Sequence, residues 1–152
     1  MCSSDLNNRV EELVDQFHSP SWAVCLRELF DIITADIKAR DHLLYIAADD
    51  DKRKTVRTLL ELGLDEYAAP YGDLTSEEAE KKFAAAVGCL TMVCWLDDDY
   101  QRVGSLLNSA EGLDYSLLDL CRRGYEANFG SDVIRTIIGR AAKEDAEEAL
   151  KA

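Results

Sequence analysis

The 152-residue sequence predicts an all-α protein, a single compact helical domain of six to eight helices. Three observations carry that expectation. Apolar residues recur at the three-and-four spacing of a helix face along nearly the whole chain. Capping residues, glycines and two prolines punctuate the pattern at helix-sized intervals. No segment alternates with the period of two that marks a half-buried strand between turn dipeptides.

The first helix is read from Leu6, Val10, Leu13, Val14 and Phe17, which share one face, with Ser3 or Ser4 as its N-cap. Pro20 ends that pattern and suits the first turn of the next helix. There Trp22, Val24, Cys25, Leu26, Leu29, Phe30, Ile32, Ile33 and Ile37 cover more than one face, so the helix is expected to be largely buried. Asp41 precedes a short apolar turn over Leu43 to Ala48, and Asp49-Asp50-Asp51 interrupts it. Val56, Leu59, Leu60 and Leu62 then resume the helical period, and Gly63 is read as the residue that stops it.

Residues 64–74 hold the second proline and a glycine and are expected to form a long loop between helices 1–63 and 75–142. Thr75-Ser76-Glu77-Glu78 has the form of a capping box, in which the threonine hydroxyl and the Glu78 carboxylate each accept from the other residue's amide. The helix it opens is apolar all round from Phe83 to Leu96, which predicts a central helix, and Gly88 lets a neighbour approach it closely. After Asp97-Asp98-Asp99 come an amphipathic helix through Val103, Leu106 and Leu107 that Gly112 ends, and a helix from Tyr115 to Phe129. A last helix, with Ser131 as its cap, carries the stripe Val133, Ile134, Ile137 and Ile138. The charged tail 143–152 extends that helix or frays.

Acidic residues outnumber basic ones by 30 to 17, a formal charge of -13. Such a surface repels phosphate backbones and anionic lipid, so direct nucleic-acid or membrane binding is not expected. Between Asp65 and Tyr100 the acids are concentrated, with Lys81 and Lys82 the only bases. No basic segment followed by an apolar run opens the chain, and no stretch reaches the roughly 18 apolar residues of a membrane span, so a cytoplasmic location is expected. The five cysteines are odd in number and mostly lie in apolar helical patterns, which reads as reduced, buried thiols rather than a disulfide framework.

Chemistry-bearing motifs are missing. The run from Asp49 places Arg53 where a calcium loop needs an acid, and Asp97 and Asp99 lead into Gln101 and Arg102 instead of a loop glycine. His18 and His42 have neither metalloprotease spacing nor neighbouring cysteine pairs, and no glycine-rich phosphate loop occurs. Lys52, Arg53, Lys54 and Arg57 are flanked by Asp49 to Asp51 and Glu61, which predicts charge pairing along one exposed helix face. Trp22, Trp95 and Phe129 lie in apolar patterns and are read as core. No catalytic residue, metal site or cofactor is expected.

From Leu90 to Leu117, Trp95, an acidic turn, Tyr100, Val103, Leu107 and Ala110 are spaced like a tetratricopeptide helical hairpin, once only. A longer likeness joins Arg40-Asp41-His42-Leu43-Leu44, Ala86 to Leu90, Cys94 to Asp99, and Ala110 to Leu117. Together these resemble the carboxy-terminal helical half of the actinobacterial domain of unknown function 4192. The departures are Asp97-Asp98-Asp99 in place of a glycine-acid turn and Asp114-Tyr115-Ser116 without the proline-glycine insertion. The resemblance implies an actinobacterial or actinobacteriophage origin and transfers no catalytic residue.

The functional expectation is a non-enzymatic protein-interaction module, in a phage setting a modulator of a host protein. Its contact surface is expected at Glu77, Glu78, Glu80, Asp97, Asp98, Asp99 and Tyr100. The alternative is an acidic mimic of nucleic acid that occupies the site of a basic DNA- or RNA-binding enzyme.

Overall fold

In the computed structural model, which describes residues 3–68 and 76–151, eight helices are present among the described residues and no strand. They are α1 (Ser3–Asp15), α2 (Trp22–Ala35), α3 (Ile37–Ala47), α4 (Asp50–Tyr67), α5 (Ser76–Leu96), α6 (Tyr100–Ser109), α7 (Ser116–Glu126) and α8 (Ser131–Lys151). α5 is the axis of the fold. It packs against α2, α3, α4, α6, α7 and α8, and every residue from Ala84 to Leu96 is buried. A helix without a polar face can lie only where neighbours surround it. Around it one apolar core runs from Val10 of α1 to Ile138 of α8. The single hydroxyl within this stretch, Thr91, donates to the Val87 carbonyl at 2.7 Å, so no orphaned polar group results.

Aspartates open three of the helices. Asp36 accepts from the Ala39 amide at 2.8 Å, Asp49 from Asp51 at 2.8 Å and Asp99 from Arg102 at 3.3 Å. Asp36, in extended backbone, breaks the apolar run that the sequence reads as one helix: α2 ends at Ala35 and Ile37 begins α3, where it is exposed. Asp41 therefore lies inside α3, paired with Arg40 at 3.0 Å, and does not open a helix. α2 is less enclosed than expected. Cys25, Leu26, Leu29, Phe30 and Ile33 are buried, but Val24 is 64% exposed and Trp22, read as core, is 42% exposed at the first residue of the helix.

Gly63 does not stop α4. The helix continues to Tyr67, and Gly63 sits inside it against the ring of Phe30, where a Cβ would lie 2.1 Å from Cζ. The glycine serves close helix packing rather than a C-terminal turn. Residues 69–74 of the expected loop, and Thr75 of the capping box, lie outside the described residues. Ser131 is the first residue of α8 instead of the one before it, and the charged tail continues α8 through Lys151.

α5 and α6 form the expected hairpin through the turn Asp97 to Asp99, with α7 packed on both. Asp98 takes φ 57°, a left-handed conformation that aspartate tolerates better than most residues. Trp95 fills the space between α5 and α7, its Nε1 donating to the Phe129 carbonyl at 2.8 Å. Phe129 itself is half-buried. No helix among the described residues is long and apolar enough to cross a membrane.

Candidate functional site

The acidic residues expected to form one contact surface occupy opposite ends of α5. Glu77, Glu78 and Glu80 are exposed in its first turns, and Asp97 to Tyr100 follow its last. At 1.5 Å per residue the two groups are about 30 Å apart. A single partner side chain cannot touch both.

At the hairpin turn the carboxylates are tied down from within. Arg53 Nε donates to Asp97 at 2.6 Å, Arg57 Nη1 to the same carboxylate at 2.9 Å, and Arg57 Nη2 to Asp99 at 2.8 Å. Arg102 reaches Glu61 at 2.9 Å, and Arg53 also holds Asp50 at 2.8 Å. Arg53 and Arg57 of the α4 basic cluster therefore pair across to the α5–α6 turn, and Arg53 also pairs along its own helix with Asp50, as the sequence suggests. The Arg57 hydrogen bond holds the Asp99 carboxyl below its ordinary value, since donation to the charged form favours it. Asp98 and Tyr100, the remaining turn residues, bond each other at 2.9 Å. This group fastens α4 to the hairpin.

At the other end of α5 an open groove of about 310 Å³ runs between its first turns and the α6–α7 connection, with Thr34 of α2 at one side. Ala84, Ala85, Leu113 and Tyr115 give it an apolar lining, and Glu77, Glu80 and Asp114 bring carboxylates to it. The one base among its lining residues, Lys81, lies 3.4 Å from Glu77 in an exposed pair, which contributes little. The Thr34 hydroxyl is buried with no hydrogen-bond partner, a state that costs about 1–3 kcal/mol until something satisfies it.

Two devices shape the wall. Gly112 takes φ +89° after α6, which lets the chain turn toward α5, and a side chain there would be strained. Tyr115 is held from behind by Arg40, 7% exposed, whose Nη1 donates to the phenol at 3.2 Å and whose guanidinium lies 5.6 Å from the ring centre. Asp41 takes the rest of the Arg40 fork at 3.0 Å, so the buried charge is compensated. Gly88 leaves room for the ring: a Cβ there would stand 3.0 Å from Tyr115 Cε1. Thus the Arg40-Asp41 pair and Gly88, singled out in the sequence, support this groove.

Sequence reasoning found Glu77 and Glu80 but missed Thr34, Leu113, Asp114 and Tyr115, which the fold brings to them from distant positions. The run of alanines at 84 to 86 was the available signal, because small residues on a central helix leave space above it.

Elsewhere both histidines are engaged. His42 Nε2 lies 3.0 Å from the Glu11 carboxylate, and exposed His18 meets the edge of Phe17 with ring centres 5.0 Å apart. Among the described residues no group of three or more His, Cys, Asp or Glu side chains could hold a metal ion. Cys25, Cys89, Cys94 and Cys121 are free and buried, and burial pushes the thiols of Cys89, Cys94 and Cys121 up to about 12. At neutral pH these three carry no thiolate.

The chain matches no protein-family model, no curated protein and no solved structure.

Proposed function

We propose that the chain is a non-enzymatic protein-interaction module whose contact site is the groove between α5 and the α6–α7 connection. The observation that carries this reading is the groove itself: an apolar lining and a carboxylate rim in one concavity. Concave apolar surface with a few polar groups is what a short stretch of a partner chain fills. The hydrogen bond from Arg40 and the close approach to Gly88 hold Tyr115 in the wall, which lowers the cost of ordering it on binding.

The nucleic-acid-mimic alternative draws on the net charge of -13, but Asp97 and Asp99 face Arg53 and Arg57, and a basic partner would have to displace those arginines. The likeness to domain of unknown function 4192 bears on origin and adds no activity.

Affinity capture with the native chain and with Ala84→Phe, which fills the groove, tests the proposal. A stoichiometric partner captured by the first and lost with the second, with cooperative unfolding retained, is the expected result. Equal capture by both removes the groove from the contact. A partner that binds outside the groove, is displaced by DNA and is released steeply by salt supports the mimic instead.

A further inference from the structure

Resting on the groove reading, we propose that the occupant is an extended segment of a partner protein that carries an arginine between small apolar side chains. The charge balance of the site decides the sign. Glu77, Glu80 and Asp114 bring three carboxylates to the groove and Lys81 one ammonium, itself directed at Glu77. The start of α5, and that of α7 just beyond Asp114, add positive ends worth roughly half a charge each, too little to reverse the sign. An anionic ligand would meet net negative charge, and a neutral one would gain nothing from the exposed rim carboxylates.

Size and lining decide the rest. A volume of about 310 Å³ lies at the small end of ligand sites, which run from about 300 to 1,000 Å³, so it takes a few side chains and not a folded surface. Glu80 and Asp114 come to the groove from different elements, α5 and the α6–α7 connection, and a guanidinium, with its donors on two edges, offers hydrogen bonds to carboxylates of both while its stem lies on the apolar lining. Lysine, a compact and strongly hydrated charge, suits such a two-sided rim less well.

The test is an NMR titration of the full chain with acetyl-Gly-Leu-Arg-Leu-Gly-amide and with its citrulline counterpart, which keeps the shape and loses the charge. The arginine peptide is expected to shift the amides of Ala84, Ala85, Leu113 and Tyr115 in a saturable way. It should bind about tenfold more tightly than the citrulline peptide at low salt, where exposed charges are least screened. In Glu80→Gln with Asp114→Asn, both exposed and so not expected to disturb folding, the two peptides should bind within about twofold of each other, as removal of the rim charges requires. Equal binding of both peptides to the native chain, with both lost in Ala84→Phe, overturns the arginine inference and leaves the interaction module standing. Shifts outside the groove that Ala84→Phe does not affect, or no shift with either peptide, overturn the inference and take away its support from the groove reading. Self-association abolished by Ala84→Phe overturns it in favour of a second copy as occupant.

Discussion

Replacement of Gly63 by alanine should destabilise the protein, although glycine in a helix interior is ordinarily the poorer residue. Alanine gains about 1 kcal/mol of helix propensity over glycine. Against this, the new Cβ would stand 2.1 Å from Phe30 Cζ and 2.3 Å from Cε2. Ordinary carbon contacts lie at about 3.5–4.0 Å, so the ring must move by more than about 1 Å. Phe30 is 0% exposed and faces Tyr67 with ring centres 5.3 Å apart, so it has no free side to move into. Overpacking of a filled core costs about 1–3 kcal/mol, and a displacement of this size belongs at the upper end. The net expectation is a loss of about 2 kcal/mol, which for a chain of this length lowers Tm by roughly 4–8 °C. Thermal and urea unfolding followed by circular dichroism measure it. Gly139→Ala is the internal reference, because nothing lies within 4 Å of its added Cβ, and this variant should gain up to about 1 kcal/mol. In the Phe30→Leu background the cost of Gly63→Ala should largely vanish. A Gly63→Ala protein as stable as the native chain, or a cost unchanged by Phe30→Leu, would show that ring overlap is not what requires the glycine.

Three further outcomes follow from the packing and charge of the fold. Arg57→Ala should lower stability at pH 7 by about 1 kcal/mol. It should also flatten the acid limb: Asp99, held below its ordinary value by Arg57, contributes stability that is present above the unfolded carboxylate value and lost as pH falls through the lower folded one, so a limb as steep as the native one would refute the pairing. Asp145→Asn should stabilise. Burial first, then Asp41, raise the Asp145 carboxyl, so its charged form is disfavoured in the folded state at neutral pH, and the gain in Tm should fade as pH falls through the raised folded value and be gone by about 4, the unfolded value. Trp95→Phe should cost about 2 kcal/mol by orphaning the Phe129 carbonyl, and the remaining emission, from the 42% exposed Trp22, should shift to the red and be quenched by acrylamide; unchanged emission would place Trp95 in solvent.

The helical architecture was legible in the sequence because the signals for it are local. Three-and-four apolar spacing and aspartate caps depend on residues within one or two turns of each other, and a helix apolar all round, as α5 is from Phe83 to Leu96, has only a central place to go. The half of the candidate site carried by α5 itself, Glu77 and Glu80, was legible for the same reason. Gly63 was misread because a stop and a close contact use the same residue, and only the arrival of Phe30 from α2 separates them.

Charge was legible in amount but not in use. The excess of acids can be counted from the chain, yet whether an acid faces solvent or an arginine depends on which helix packs beside it. α4 lies against the hairpin turn, so Arg53 and Arg57 bind Asp97 and Asp99 over some forty positions of sequence. The α6–α7 connection crosses the start of α5, so Leu113, Asp114 and Tyr115 complete a groove with residues about thirty positions away. Sequence by itself determined an acidic helical domain with an apolar central helix, since local periodicity and composition suffice for that. Only the tertiary structure decided which acids are spent on internal ion pairs and which line a concave apolar site, because the free energy of a carboxylate is set by what lies within a few ångströms of it in space.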